Sequence, residues 1–216
     1  MNWLEGDYVR QGASTVPATD VAIQKKKSSE LPQNRRLYQY NQKGKAMEGE
    51  NPMEQKLNRL YEAMVQYDRG DAKRIQHFVK VHSFARLIGT EEGLSSEELL
   101  TLEAAALVHD IGIRPSEEKY GDCSGKHQEE EGPGEAEKML RELGYEESLI
   151  ERVCYLVGHH HTYDRIDGMD YQILVEADFL VNLYEDGAGE EAVRTALARI
   201  FRTTTGSQLC RQMFGI

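Results

Sequence analysis

The sequence predicts an all-α protein: one helical bundle over residues 53–216, behind a leader of low order over residues 1–52. Three observations carry this. Apolar residues recur every three or four positions from Leu57 to Phe201, the period of a helix with one buried face. No segment of useful length alternates apolar with polar residues as a half-buried strand does. Capping and breaking residues cut the periodic stretches into helix-sized pieces. At 216 residues the chain suits one substantial core with an extension, and no internal repeat divides it.

The leader is rich in Gln, Asn, Ser, Gly and Lys, contains Lys25-Lys26-Lys27 and has no sustained period. Too little apolar surface is available there to offset the entropy of ordering it. Its net charge is +2, which leaves −13 on the remainder of a chain whose total is −11.

Asn51 can cap the first helix with Pro52 at its first position, and Leu57, Leu60, Tyr61, Met64 and Val65 form its apolar face. Asp71 caps the second. There Ile75, Phe78, Val79, His82 and Ile88 share a face, with His77, Val81 and Phe84 along the adjacent flank. Ser95-Ser96-Glu97-Glu98 is a capping-box pattern that opens a third helix running to His109. Gly112 and Pro115 then predict a polar loop to about residue 131. Helices resume over Pro133–Leu143, stopped by Gly144, and over Glu147–Gly158, with Leu149, Ile150, Val153, Cys154 and Val157 inward. After a turn at residues 164–168 comes the apolar helix around Ile173–Val181, and a last amphipathic helix carries Val193, Ala196, Leu197, Ile200 and Phe201.

Chemistry concentrates at the end of the third helix. The run Ala104-Ala105-Ala106-Leu107-Val108 finishes on His109-Asp110, so an imidazole and a carboxylate enter an apolar interior. A buried charge there must be paired, hydrogen-bonded or bound to a cation. All seven histidines lie between residues 77 and 161, and Asp178 sits in a second apolar helix that has no basic residue to neutralise it. His109 and Asp178 both project from inward faces, the arrangement with which bundles build metal sites. His77, His109, Asp110, Asp178 and one or more of His159, His160 and His161 are therefore candidate ligands. A lone surface histidine, a helix C-terminus or a solvated loop triplet would explain any one of these, but none explains the set. His82, on the apolar face, suits a hydrogen-bonded core role better than ligation. Gly132-Pro133-Gly134 is too short for a phosphate-binding glycine loop, and Tyr155 and Tyr163 suit packing.

Over residues 70–185 the chain resembles the HD-domain superfamily of metal-dependent phosphohydrolases, whose signature is a His, a distant His-Asp pair and a distal Asp. His77-Phe78-Val79-Lys80-Val81-His82-Ser83-Phe84-Ala85 resembles the first-histidine helix, with His77 as ligand. His109-Asp110-Ile111-Gly112 is similar to the central motif, and Leu174–Leu180 to the final helix with Asp178. Tyr155–Thr162 resembles the additional histidine segment of two-metal members, which include hydrolases of dinucleoside polyphosphates; His160 stands 18 residues before Asp178. The resemblance implies an HD-type bundle with Asp110 and His109 at the catalytic centre. His159, His160 and His127 are its second-metal candidates, with Glu131 a rival for His127.

The expected reaction is hydrolysis of a phosphomonoester or phosphodiester bond of a small phosphorylated substrate, a nucleotide. Two cations about 3.5–4 Å apart can share Asp110, activate water and clamp phosphoryl oxygens. Imidazole and carboxylate donors suit Fe, Mn, Ni, Co, Zn or Mg, in one or two sites. Lys119, Lys126 and Arg165 lie in flanking loops and are candidate phosphate contacts. The alternative is a metal-bound regulatory or interaction module without turnover, since fold does not fix function.

Composition excludes other classes. Net charge −11 repels a phosphate backbone, so long nucleic acid is not an expected partner. No 18-residue apolar run or signal-peptide order is present, so no membrane partner is expected. Cys123, Cys154 and Cys210 are odd in number, widely spaced and without a Cys-x-x-Cys pair, against both a disulfide framework and a thiolate site. A reducing, cytoplasmic setting is expected; the sequence sets no oligomeric state.

Overall fold

The computed structural model describes residues 52–216. The expected leader lies outside them apart from Pro52, and so does the Asn51 cap. Among the described residues every regular element is helical: α1 (Pro52–Tyr67), α2 (Ala72–Glu91), α3 (Ser96–Val108), α4 (Ile113–Tyr120), α5 (Gly125–Glu142), α6 (Glu147–Val157), α7 (Met169–Glu185), α8 (Glu190–Arg199) and α9 (Thr204–Phe214). None is long and apolar enough to cross a membrane.

Local chemistry sets the helix ends. The Asp71 side chain accepts from Arg74 N, and Ser95 and Glu98 close a reciprocal capping box at α3. The last turns of α3, Ala104–Val108, are apolar all round because the helix is central, packing on α1, α2, α6 and α7. Residues 101–108 are all buried, as are 171–181 of α7. These two helices and α2, which packs on both, deliver the polar groups to the interior. The buried arc of α2 runs through His77, Phe78, Val81, Ala85 and Ile88. It includes the flank that periodicity set second, because α3 and α7 cover α2 from two sides.

Two stretches differ from the sequence expectation. The polar loop to residue 131 is instead α4 and the first turns of α5. Pro115 occupies the third position of α4, where an N–H would have no helical partner, so it breaks nothing. The α5 helix runs through Pro133. The predicted helix from Pro133 is its C-terminal half; the polar first turns are hidden because they are held by close approach rather than by a broad apolar face. A Cβ on Gly112 would lie 2.5 Å from Gln128 O, and one on Gly132 would lie 2.7 Å from Val157 Cγ1. Beyond Phe201, the separate helix α9 starts from a buried carboxylate: Glu176 on α7 accepts from the backbone N–H groups of Arg202 and Thr203 and from the Thr203 hydroxyl.

A candidate metal centre

Three imidazoles turn one nitrogen outward to an acceptor and the other toward the Asp110 carboxylate. His109 follows the last residue of α3 and His160 lies just beyond α6, where terminal carbonyls have no helical N–H. Their Nδ1 atoms fill that role, at 2.9 Å from Ala106 O and 2.8 Å from Val157 O. His77 sits inside α2, where carbonyls are committed to the helix, and its Nδ1 lies 3.2 Å from Glu185 Oε2 on α7. With Nδ1 as donor in all three, the Nε2 lone pairs are directed inward.

His77 Nε2 lies 3.3 Å from His109 Nε2 and 3.1 Å from Asp178 Oδ1. Asp110 Oδ2 is 3.5 Å from His77 Nε2 and 3.6 Å from His109 Nε2. The other oxygen, Asp110 Oδ1, is 3.6 Å from His160 Nε2. His77, His109 and Asp178 form one group whose donor atoms lie within 4.8 Å of one another, and Asp110, His160 and His161 form a second. Asp178 is held by Asn182 Nδ2 at 2.8 Å. The side chains of His77, His109, His160 and Asp178 are almost wholly buried, while Asp110 remains 17% exposed. The centre therefore meets solvent at Asp110.

Electrostatics express the same demand for positive charge. Burial disfavours ionised Asp178, yet its hydrogen bonds to His109 and His77 pull its pKa well below the usual carboxylate range. Burial likewise opposes a charge on His77, but Asp178 and Glu185 outweigh it and push the pKa up to about 10. His160 is raised against its burial by Asp110. The carboxylates thus draw protons onto imidazoles that a cation would displace. His161 goes the other way: burial and neighbouring His160 push it down to about 3. It is a neutral imidazole whose buried Nε2 has no hydrogen-bond partner.

The triple histidine is thereby sorted. His160 and His161 face the centre, whereas His159 turns back, its Nδ1 2.7 Å from Tyr155 O and its ring stacked on Tyr155 at 4.3 Å. His127 lies apart, stacked on Tyr120 at 3.9 Å and 2.8 Å from Asp122 Oδ1. Glu131 is engaged by Lys119 and Tyr120. Lys119 is therefore paired, while Lys126 is exposed in the first turn of α5 and Arg165 is exposed in the turn before α7. His82 Nε2 lies 3.1 Å from Glu103 Oε1, away from the centre.

Supporting residues outside the sequence expectation complete the arrangement. Glu129 accepts from His161 N at 3.0 Å and from the Thr162 hydroxyl, and the Tyr171 hydroxyl donates to the carbonyls of His159 and Thr162. Asn182 and Glu185 stand four and seven residues after Asp178, a helical spacing that does signal a shared face. Glu129 carries no such signal, because its partner is 32 residues away in a turn.

The HD domain family model matches residues 74–201, more than half of the chain and all of these inward residues. The chain belongs to the HD domain family. Among solved structures, this HD domain is similar to the crystal structure of a predicted HD superfamily hydrolase from an uncultured Thermotogales bacterium, determined at 1.45 Å resolution. The two share 24% identity with a TM-score of 0.54, over 74% of this chain and 85% of that one, a likeness of fold. No curated protein matches the chain.

Proposed function

We propose that this HD domain is a metal-dependent phosphohydrolase that cleaves a phosphomonoester or phosphodiester bond of a nucleotide. The observation that carries the reading is the convergence of the Nε2 atoms of His77, His109 and His160 with both carboxylates of Asp110 and Asp178, each Nδ1 being engaged elsewhere. His77, His109, Asp178 and Asp110 would hold a principal divalent cation, and Asp110, His160 and His161 a second. Nitrogen and oxygen donors without thiolate fit Fe, Mn, Ni, Co, Zn or Mg. Cations bound there supply Lewis acidity, lowering the pKa of a water and neutralising charge on the phosphoryl group.

The chain's own residues do the rest. Asp178, braced by Asn182, keeps a fixed negative charge at the floor of the centre. Asp110, exposed on one side, connects both histidine groups to the solvent from which substrate and water arrive. The N-terminus of α5 packs against the second group: a Cβ on Gly125 would lie 2.9 Å from the His161 ring. Lys126, the next residue, offers a cation to a phosphate entering there. His127, two residues after Gly125, stacks on Tyr120 at 3.9 Å, and in the nucleotide reading this ring pair is the aromatic surface on which a base would rest.

Protein purified without chelator should carry at least one transition metal per chain. It should turn over members of a panel of nucleotides, nucleotide diesters and p-nitrophenyl phosphates with Mn²⁺ or Fe²⁺. Metal-free protein that regains neither metal nor turnover overturns the proposal. A full metal complement without turnover on any ester points instead to a regulatory module built on the same centre.

A further inference from the structure

We propose that Glu185, tethered by Lys80, is a positioning residue that fixes the tautomer and orientation of His77 for metal; the inference rests on the metal-centre reading above. His109 and His160 need no such help, because each sits at a helix end with an unused carbonyl of its own turn to accept its Nδ1–H. His77 lies six residues into α2 and has no free carbonyl within reach of its own helix. The acceptor must come from another element. It comes from α7, where Glu185 Oε2 lies 3.2 Å from His77 Nδ1.

The second carboxylate oxygen is also committed. Glu185 Oε1 accepts from Lys80 Nζ at 2.7 Å, and Lys80 is three residues after His77 on the same side of α2. Glu185 itself is seven residues after Asp178, so α7 presents a ligand and the support for another helix's ligand along one face. Lys80 balances the added negative charge and holds the carboxylate in one rotamer. A carboxylate acceptor also makes His77 a stronger donor at Nε2 than a carbonyl would, and such partners typically alter metal affinity 10–100-fold.

The test uses full-length protein stripped of metal and titrated calorimetrically with Mn²⁺ and with Zn²⁺, comparing wild type, E185A, E185Q and K80M. E185A should bind the tightest ion about 10–100-fold more weakly. E185Q should recover part of that loss, since its amide oxygen still accepts from Nδ1, and K80M should lose less than E185A. Melting curves of the metal-free proteins show which variants fold. If E185A does not, the isosteric E185Q carries the comparison and should still bind more weakly than wild type. Folded Glu185 variants with wild-type affinity overturn this inference alone. Wild-type protein that takes up neither ion overturns the metal-centre reading and this inference with it.

Discussion

Asp110 reaches His160 with one carboxylate oxygen, Oδ1, 3.6 Å from Nε2, while its other oxygen lies within 3.6 Å of the Nε2 atoms of both His77 and His109. One side chain at the end of α3 thus joins histidines from α2 and from the turn after α6. Among the described residues no other carboxylate is shared in this way by the two groups of candidate ligands: Asp178 belongs with His77 and His109. The unequal places of Asp110 and of the His160–His161 pair make the two separable by substitution.

Asp110→Ala should remove turnover and reduce metal content at both positions, because it withdraws the group that the other donors surround. Substituting His160 and His161 together should leave one ion per chain on His77, His109 and Asp178 yet lower turnover strongly. Metal stoichiometry measured beside the rate for each variant checks this. A His160/His161 double variant with wild-type stoichiometry and rate would show that the pair is structural.

The pH dependence has a definite sign. His77 rises from 6.5 to about 10 in the metal-free fold, so its stabilising contribution is complete below pH 6.5 and is lost as pH climbs through about 10. Burial alone would raise the pKa of Glu185, but the His77 and Lys80 hydrogen bonds lower it from 4.5 to about 2, so its contribution is complete above pH 4.5 and is lost toward about 2. Both contributions are present between about pH 4.5 and 6.5. Metal must displace the His77 proton, so the rise in melting temperature on adding metal should grow from pH 6 to pH 9. Melting curves with and without metal at each pH provide the check, and an equal rise throughout would contradict the assigned pair.

How much of this is legible without a structure depends on how each residue is held. His109, Asp110 and Asp178 announce themselves, because polar groups in or at the end of apolar helical runs have no cheaper explanation as a set, while His77, on an amphipathic helix, is picked out by the resemblance of its segment to the first-histidine helix. Asn182 and Glu185 are recoverable from their helical offset to Asp178. The division of the triplet is not: His159, His160 and His161 are adjacent in sequence. Their directions come from a turn clamped by Glu129 and Tyr171 from two other helices. The α4 helix and the first turns of α5 escape for a related reason, their packing resting on glycines that leave no apolar period.

That glycine contact gives a stability prediction. Gly112 has an ordinary helical φ of −71°, so alanine there costs through collision rather than backbone strain. Its Cβ would lie 2.5 Å from Gln128 O and 2.9 Å from Gly132 N, both backbone atoms that cannot swing aside. Gly112→Ala should destabilise the protein by about 1–3 kcal/mol. Gly134→Ala is the contrast, since nothing lies within 4 Å of a Cβ there and the site is inside α5. It should be neutral or stabilising by up to about 1 kcal/mol. Chemical denaturation of the two variants beside wild type checks the pair.

Glu129 gives the most selective prediction, because it touches the histidine turn without being among the candidate ligands. Its carboxylate accepts from the His161 backbone N–H and the Thr162 hydroxyl, tying α5 to the residues that aim His160 and His161. Without it those donors must find water, and the turn loses the contact that fixes its direction. The primary group on α2, α3 and α7 has no part in that contact. Glu129→Ala should therefore keep the tighter ion and weaken the second by about 10–100-fold, lowering turnover at limiting metal. Excess metal should restore much of the rate. Glu129→Gln, which still accepts through its amide oxygen, should fall between the two. Sequential binding resolved by calorimetry, with rate measured against metal concentration, checks this. Equal weakening of both ions, or of neither, would show that Glu129 does not act through the His160–His161 turn.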